Sequence, residues 1–524
     1  MTLLVAPRDV RLDLLARREI ALLDLRDEDP FAKDHPLFAA NLPLSRLELE
    51  MLDRLPRKDV RIVLYDDGEG LVAPAAARLR VLGYTNLRAL EGGLAGWRAA
   101  GLELFQDVNS ASKAFGELVE HRRRTPSLPA GQAKALIDHE PNLVVLDARR
   151  WDEYQTMSIP RSVSTPGAEL VLRAAEIAPD PATTIIVNCA GRTRSIIGAQ
   201  SLVNAGLPNP VYALRNGVIG WTLEGLTLDH GQDRRAPEPS DVGAAIAWER
   251  ARAVAYRVGV KHLSVAEFTE LAQDRTRTLY RFDVRTPEEY AAGHLPGFRS
   301  APGGQLVQET DHFAPVRGAR ILLFDPRGVR ADMSASWLAQ MGWEVYVLEA
   351  APDVALETGP WRPALPPLPA AQGIGVEALA ERLQSGDVTV IDLAPSPTYR
   401  RGHIPGAWFA IRASLAEALE NLPEADDFVV TSPDGALARL AAAELEALTE
   451  KTPLTLDGGT AAWIQAERPL QAGLTQAANP PTDVYKRPYE GTDHSHDAMQ
   501  AYLDWEFGLV EQLERDGAHG FFVI

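Results

Sequence analysis

The only cysteine of the chain, Cys189, lies in a segment that could activate it as a nucleophile. It follows the apolar run TTIIVN and opens the loop CAGRTRS, which contains Arg192 and Arg194. Cysteine reacts as the thiolate, whereas an ordinary thiol, with a pKa of about 8.5, is mostly protonated at neutral pH. Backbone N–H groups at a helix start and two guanidinium groups would favour an anion there. The loop therefore predicts nucleophilic chemistry on a small anionic substrate.

Further candidate substrate-binding residues lie around this loop. Arg149 follows its own predicted strand, and ligands of open α/β sheets bind beyond the carboxyl ends of the strands. Gly191 allows the turn to adopt backbone angles that other residues resist. The candidate site consists of Cys189 as the nucleophile and of Arg149, Ala190, Gly191, Arg192, Thr193, Arg194 and Ser195 as substrate-binding residues.

Cys189 and the three arginines also have structural alternatives. A lone cysteine near a strand is often an inert buried residue, but two arginines within five residues do not belong to a hydrophobic core. Either loop arginine could point to solvent instead of the sulfur. Arg149 could form a structural ion pair with a nearby acid such as Asp152 or Glu153, because ion-pair networks imitate functional sites.

The segment around Cys189 belongs to a fourfold internal repeat. Four apolar runs end in an aspartate: IALLD at Asp24, LVVLD at Asp147, LYRFD at Asp283 and VTVID at Asp392. A second apolar run with a turn follows each of them, and the cysteine position comes 40 or 42 residues after the aspartate. The residues equivalent to Cys189 are Asp66, Asp325 and Ser432. Only the second unit therefore has a cysteine nucleophile.

The other three units are predicted to be inactive. Asp66 and Asp325 place a carboxylate where a thiolate is needed, and it would repel an anionic substrate. Ser432 is a poor nucleophile without a base, and the nearby Asp434 is a weak candidate for that base. These units are expected to cover the active face, narrow substrate access or bind a partner.

A third element completes the repeat. A glycine-containing segment ends in tryptophan 31 or 32 residues after the cysteine position, at Trp97, Trp221 and Trp463. The third unit departs from this pattern, because an insertion without Gly-Gly precedes Trp361.

Strand-like and helix-like segments alternate within each unit, which is typical of parallel α/β sheets. Each unit has the size of one small domain. Pro-rich segments at 233–241 and 363–373 are candidate linkers, and 244–259 is predicted to form a connecting helix. The predicted domains are 1–110, 111–240, 241–368 and 369–475, followed by a C-terminal helical tail, 476–524.

Taken together, these motifs resemble the rhodanese superfamily of sulfurtransferases. The resemblance rests on DARRWDEY at 147–154, the C-x4-R-[ST] loop from Cys189 to Ser195, the Gly-x-x-x-Trp element at 217–221, and the sequences GHLPG and GHIPG in units three and four. More narrowly, residues 1–475 are similar to bacterial proteins with four rhodanese-like domains and one intact site. The active unit departs from the pattern with TMSIPRSV, at 156–163, in place of GHIPGA.

The resemblance implies a persulfide mechanism and four rhodanese-like folds. Cys189 would attack the outer sulfur of a sulfane donor such as thiosulfate and release sulfite. The persulfide would then pass its sulfur to cyanide, a thiol or a protein acceptor. Arg149 becomes a substrate-binding position by the same resemblance. Thiosulfate, a persulfide and mercaptopyruvate share the first step, so the physiological donor stays open.

Two other functions are alternatives. Related tyrosine-type and dual-specificity phosphatases use a C-x5-R loop, which wraps a phosphate. The loop from Cys189 to Arg194 is one residue tighter, and a smaller ring of amides suits a sulfur atom better than a phosphoryl group. A phosphatase or arsenate reductase is therefore the second enzyme hypothesis. A non-catalytic sulfur carrier or scaffold is the third hypothesis.

Composition and charge limit the classes of partner. The formal net charge of −19 argues against nucleic acid or an anionic membrane surface as the main partner. We find no apolar tract long enough to span a bilayer and no signal peptide. One cysteine cannot form an internal disulfide, so the cytoplasm is the expected compartment.

The sequence predicts neither a metal nor an organic cofactor. No Gly-rich loop of the nucleotide-binding kinds is present. In the tail, His494 and His496 lack the further spaced ligands that zinc needs. We instead predict a helix N-terminus there, with residues from Asp493 to Asp497 supplying the cap and first-turn acids.

Overall fold

Four parallel β-sheets, each flanked by helices, follow one another along the chain. The structure, a computed structural model, describes residues 2–423, 425–491 and 494–524. The predicted architecture of tandem α/β units is confirmed. In every unit, the strand that precedes the cysteine position lies between strands on both sides.

The first unit contains five strands and five α-helices. They are β1 (Leu3–Val5), α1 (Pro7–Leu15), β2 (Ile20–Asp24), α2 (Glu28–Lys33), β3 (Ala40–Asn41), α3 (Leu47–Arg54), β4 (Ile62–Tyr65), α4 (Val72–Val81), β5 (Leu87–Leu90) and α5 (Gly93–Ala99). The strand order is β1-β5-β4-β2, and β3 also pairs with β2. Both β2 and β4 are buried at every position, as expected of strands covered on both faces.

The second unit repeats this plan after a connecting helix, α6 (Ser110–Arg123). Its elements are β6 (Ser127–Leu128), α7 (Ala130–His139), β7 (Leu143–Asp147), α8 (Trp151–Thr156), β8 (Ser162–Ser164), α9 (Leu170–Ile177), β9 (Thr184–Asn188), α10 (Thr193–Asn204), β10 (Val211–Leu214) and α11 (Gly217–Leu223). The strand order is β6-β10-β9-β7-β8, so β9 is central. All pairs in this sheet are parallel.

The predicted connecting helix before the third unit is confirmed as α12 (Asp241–Arg257), and the Ser240 hydroxyl accepts a hydrogen bond from its first turn. The third unit contains β11 (Lys261–Leu263), α13 (Val265–Gln273), β12 (Leu279–Asp283), α14 (Pro287–Ala292), β13 (Arg299–Ser300), α15 (Gly303–Gln308), α16 (Thr310–Phe313), β14 (Val316–Arg317), β15 (Arg320–Phe324), α17 (Val329–Gln340) and β16 (Glu344–Leu348). Its strand order is β11-β16-β15-β12-β13.

One strand of the third unit joins the first sheet. β14 pairs antiparallel with β2, with Val316 opposite Ala21. The first and third units are therefore joined through backbone hydrogen bonds. The sequence does not predict this addition, because a strand of two residues carries no periodic signal.

The fourth unit and the tail complete the chain. The fourth unit contains β17 (Gln372–Ile374), α18 (Val376–Ser385), β18 (Val388–Asp392), α19 (Ser396–Arg401), β19 (Trp408–Phe409), α20 (Leu415–Asn421), β20 (Asp427–Thr431), α21 (Ala436–Thr449), β21 (Leu454–Leu456) and α22 (Gly459–Gln465). Its strand order is β17-β21-β20-β18-β19. The tail contains α23 (His496–Phe507) and α24 (Leu509–Asp516). Ser495 caps α23, and Asp497 lies in its first turn; Asp493 lies outside the described residues.

Candidate active site

Cys189 lies at the carboxyl end of β9, at the centre of the second sheet. Residues 189–192 form the turn that leads into α10, which begins at Thr193. The cysteine is only 1% exposed. The strand–loop–helix arrangement that the sequence predicts is confirmed, and the position at a strand end is the one where ligands of α/β sheets bind.

The start of the Gly-x-x-x-Trp element holds the cysteine loop from the side. The first amides of α11 donate to this loop, from Val218 to the carbonyl of Cys189 at 2.9 Å and from Ile219 to that of Ala190 at 3.0 Å. Gly217 has a φ of +52°, and a Cβ there would lie 2.3 Å from the Cys189 carbonyl oxygen. No other residue type fits so close to the loop.

The same support exists in the first and fourth units. Leu94 donates to the carbonyl of Asp66 at 2.9 Å, and Thr460 donates to that of Ser432 at 2.9 Å. The glycine–tryptophan element is therefore part of the repeated framework. Its function is to fix the loop, whatever side chain the loop presents.

The inactive units also show which backbone groups face the cysteine position. The carboxylate of Asp66 accepts hydrogen bonds from the amides of Gly68 and Leu71, at 3.2 and 2.6 Å. The carboxylate of Asp325 accepts two from its own loop, at 3.2 and 3.0 Å. Both loops thus direct N–H groups at a negative charge, as a backbone nest does.

The ionisation of Cys189 is decided by opposing effects. Burial raises the pKa of the thiol, and the charge of Arg194 together with the hydroxyl and amide of Ser195 opposes this rise. The net direction is upward, so the thiol is protonated at neutral pH in this closed arrangement. The sequence predicted a loop that favours the thiolate; it could not show that the cysteine is almost fully covered.

Arg194 is bound to an acid of the same unit. Its two terminal nitrogens donate to the carboxylate of Glu153 at 2.7 and 2.8 Å. Burial alone would raise the pKa of Glu153, but the charge of Arg194 lowers it to about 2. Arg330 and Glu289 form the same pair in the third unit, at 2.8 and 3.1 Å. The pair is therefore a repeated structural feature, and Arg194 also brings positive charge close to the sulfur.

Arg192 points away from solvent into a cluster of acids. It donates to both carboxylate oxygens of Glu117 on α6, at 2.7 and 2.8 Å, and to the side-chain oxygen of Asn216 at 2.9 Å. Glu120 is a further partner. The guanidinium lies over the ring of Phe507, 4.2 Å from its centroid. The carboxylates balance its charge, so little of it remains for a substrate anion.

Arg149 forms a buried ion pair. Its Nε and one terminal nitrogen donate to the two carboxylate oxygens of Asp147 at 2.9 and 2.7 Å, and it also donates to the carbonyl of Met157 at 2.6 Å. The structural alternative from the sequence is thus correct in kind but wrong in partner, since Asp152 and Glu153 do not bind Arg149. The reason is that Asp147 is fully buried at the strand end, where an unpaired carboxylate would be costly.

The remaining predicted residues lie along the loop. Ser195 donates from its hydroxyl to the carbonyl of Arg192 at 2.8 Å. The hydroxyl of Thr193 is buried and has no hydrogen-bond partner among the described residues. Ala190 and Gly191 face the C-terminal tail. The structure brings all the predicted site residues to one edge of the second sheet.

Comparison with known proteins gives four matches along the chain. The family model of the rhodanese-like domain matches residues 9–100, 129–224, 264–351 and 375–466.

The chain belongs to the rhodanese-like domain family.

Two relatives show how far this similarity extends. The crystal structure of a thiosulfate sulfurtransferase from Pseudomonas aeruginosa is 59% identical, covers 100% of both chains and has a TM-score of 0.97. An uncharacterized protein from Synechocystis sp. is 32% identical over 106 residues, which are 20% of this chain and 58% of that protein. The chain thus spans just over half the length of the Synechocystis relative, whereas the similarity to the Pseudomonas protein extends over all four rhodanese-like domains and the tail.

The tail covers the loop of the second rhodanese-like domain. One apolar cluster contains Ala190, Ile219, Tyr489, Met499, Tyr502 and Leu503. The sequence predicted a helical tail at 476–524, and the structure shows that this tail contacts the cysteine loop. The sequence contained one indication of a special role for this helix, because the acidic Glu506 lies on the same helix face as the apolar residues Tyr502 and Leu503.

Sequence reasoning also missed two residues that hold Arg192. Glu117 lies on the connecting helix α6, 75 positions before the arginine, and Asn216 lies directly before α11, 24 positions after the arginine. A single sequence cannot show which distant acid meets a given arginine.

Within residues 2–423, 425–491 and 494–524, no group of three or more His, Cys, Asp or Glu side chains is placed to hold a metal ion. Over the same ranges, no helix is long and apolar enough to cross a membrane.

Proposed function

We propose that the protein transfers sulfane sulfur from thiosulfate or a similar donor to cyanide or a thiol, through a persulfide on Cys189. The thiolate forms a bond to the outer sulfur of thiosulfate, and the S–S bond to the central sulfur breaks. Its electron pair leaves with sulfite. The acceptor then attacks the outer sulfur of the persulfide, and the electron pair returns to Cys189. No oxidant or reductant is consumed.

One observation carries this proposal. The chain's cysteine follows the central strand of a rhodanese-like sheet and opens a loop whose counterparts direct amides at a negative charge. The 59% identity to a thiosulfate sulfurtransferase over the whole chain supports thiosulfate as the donor. A protein acceptor would use the same second step.

We assign donor binding to the loop amides of residues 190–195 and to Arg194. Arg194 is the arginine whose charge most directly opposes the raised pKa of Cys189. All three arginines are paired with acids. Arg192 and Arg149 are proposed to shape the pocket rather than to attract the anion, because Arg194 is the arginine that acts most on the Cys189 thiol.

Catalysis is proposed for the second domain alone, between boundaries near residues 110 and 240. In the first and third domains, a carboxylate already accepts hydrogen bonds from the loop amides. In the fourth, the Ser432 hydroxyl accepts from the amide of Ala438 at 3.2 Å, and Asp434 accepts from Ala436. Among the described residues, no hydrogen bond joins the Ser432 hydroxyl to the Asp434 carboxylate, so we propose no general base there. The cytoplasm remains the expected compartment, because one cysteine needs no oxidising environment.

The test is intact-mass spectrometry of the full chain after brief incubation with thiosulfate. We expect a gain of one sulfur atom, its removal by cyanide, and no gain in Cys189→Ser. No gain in a protein with a titratable thiol would contradict the thiosulfate reaction. Hydrolysis of phosphate esters or arsenate reduction would then support the second enzyme hypothesis, and no turnover of any of them would favour a scaffold.

A further inference from the structure

The C-terminal helix α23 places one acidic side chain beside the cysteine loop. Glu506 is fully buried. Its Oε1 accepts a hydrogen bond from the Tyr502 hydroxyl at 2.8 Å. Its Oε2 has no hydrogen-bond partner among the described residues. A Cβ on Gly191 would lie 3.3 Å from this oxygen, so the unpartnered atom faces the loop.

The surroundings of Glu506 favour its neutral form. Among the described residues, no Lys, Arg or His nitrogen forms an ion pair with its carboxyl, and the nearby Arg192 is bound by Glu117. Burial and the charge of Glu117 raise the pKa of Glu506 to about 8, although the charges of Lys113 and Arg192 and the Tyr502 hydrogen bond oppose the rise. Because the Tyr502 hydroxyl donates to Oε1, Oε2 is the oxygen that holds the proton when the carboxyl is neutral.

The charged and titratable groups around Glu506 come from three elements. They are Cys189 and Arg192 on the loop, Lys113 and Glu117 on α6, and Tyr502 on α23, with Tyr489 against Tyr502. Lys113 lies 2.8 Å from Asp107, and its charge is therefore already matched. Within this set, Glu506 has the oxygen that faces the loop without a hydrogen-bond partner among the described residues.

We propose that Glu506 is a donor-binding residue of the second domain, whose protonated Oε2 donates a hydrogen bond to an anionic oxygen of the sulfur donor. A neutral carboxylic acid can donate to an anion, whereas a carboxylate can only accept and would repel it. The tail thus completes the site and favours donors that carry an oxyanion, such as the sulfonate group of thiosulfate. This inference rests on the proposed function.

The experiment compares Glu506→Ala, Glu506→Gln and the control Glu511→Gln in the full chain. Glu511 lies on α24, and its side chain is exposed. The measured quantity is the half-saturating thiosulfate concentration for persulfide formation, by quenched-flow intact mass from pH 6 to 9.5. Leaving cyanide out keeps the ionisation of the acceptor out of the profile. Thermal unfolding of each variant reports on folding.

In the wild type we expect the half-saturating concentration to rise as the pH increases through about 8, because Glu506 loses the proton that it donates. Glu506→Ala should raise the concentration about tenfold at pH 7, the effect of losing one hydrogen bond to an anion. Glu506→Gln should stay within about twofold of the wild type at pH 7, because its amide still donates. It should also abolish the alkaline rise. Glu511→Gln should match the wild type throughout.

Several results would overturn the inference. Unchanged behaviour of Glu506→Ala would show that the carboxyl does not contact the donor. Tighter thiosulfate binding in Glu506→Gln than in the wild type would show a repelling carboxylate instead. An equal loss in both variants, with lower thermal stability, would show that Glu506 only packs the tail. If the wild type itself forms no persulfide, the proposed function fails, and this outcome is distinct from the other three.

Discussion

Arg149 and Asp147 form a buried, two-point ion pair at the end of β7, and the pair recurs in units that have no cysteine. Arg26 binds Asp24 at 3.0 and 2.6 Å, and Arg285 binds Asp283 at 2.9 and 2.6 Å. The ion pair therefore belongs to the repeated framework, because a contact that is present in units with and without a cysteine does not by itself indicate catalysis.

Substitution of Arg149 tests this separation. Arg149→Met should lower the free energy of unfolding by about 3–5 kcal/mol, because it leaves Asp147 buried and unpaired. Arg26→Met should cost a similar amount in the first domain. Urea unfolding measures both. If Arg149 also binds the donor, only its variant should raise the half-saturating thiosulfate concentration; a folded Arg149→Met enzyme with wild-type kinetics would rule that role out.

The fourth domain lacks this arginine, and its stability should depend on pH. Asp392 is buried and accepts from the amide of Ala394 at 2.9 Å, and burial raises its pKa to about 7. The raised pKa means that the folded state holds a proton that the unfolded state loses near pH 4. Stability is therefore lost as the pH rises from about 4 to about 7.

Asp392→Asn should remove this pH dependence and raise the urea midpoint of the fourth domain at pH 8, with little effect at pH 4. The matched change Asp147→Asn should do the reverse at pH 8, because it leaves the Arg149 charge unpaired. Loss of stability in Asp392→Asn at pH 8 would contradict the raised pKa.

Arg194 should differ functionally from its structural twin, Arg330. Arg194→Gln removes the positive charge that opposes the raised pKa of Cys189, so that pKa should rise further. Alkylation of Cys189 by iodoacetamide at pH 7.5 should slow, by about tenfold if the pKa of the thiol rises by one. Arg330→Gln loses the same kind of pair with its glutamate but should alkylate at the wild-type rate. Equal slowing in both variants would indicate a general loosening of the structure.

Gly217 should be irreplaceable because the cysteine loop lies so close to it, and not only because of its backbone angle. Gly217→Ala places a Cβ 2.3 Å from the Cys189 carbonyl oxygen, so it should displace the loop and reduce the rate of persulfide formation. Gly225 has a φ of +70° with open space around it. Gly225→Ala should therefore lower the free energy of unfolding only by the cost of placing alanine in the left-handed conformation, about 1–2 kcal/mol. Persulfide formation should remain normal. Similar kinetics in the two variants would contradict the role of the close contact.

Much of the fold could be predicted from the sequence, because the patterns that indicate it involve neighbouring residues. The run TTIIVN, the turn at Gly191 and the helix after it lie within one short segment, and the repeat shows the same order in four places. The cysteine position could be located by spacing alone. The two-residue strand β14, by contrast, joins a sheet formed about three hundred positions earlier, and such pairing leaves no trace in periodicity.

The partners of the site arginines were not accessible in the same way. A long guanidinium side chain binds whichever acid the packing brings near it, and Arg192 binds Glu117 on a different element. The sequence listed plausible acids for Arg149 and named the wrong ones, since it could not show that Asp147 is buried.

By itself, the sequence determined the four α/β units, the single unit with a cysteine and the loop that opens at Cys189, because repeated spacing and strand–helix alternation are properties of neighbouring residues. Only the tertiary structure decided that the tail covers this loop and that burial raises the pKa of the thiol. It also decided that Glu506 faces the loop with an oxygen that has no hydrogen-bond partner among the described residues. These features depend on which surfaces meet when distant segments exclude water from between them.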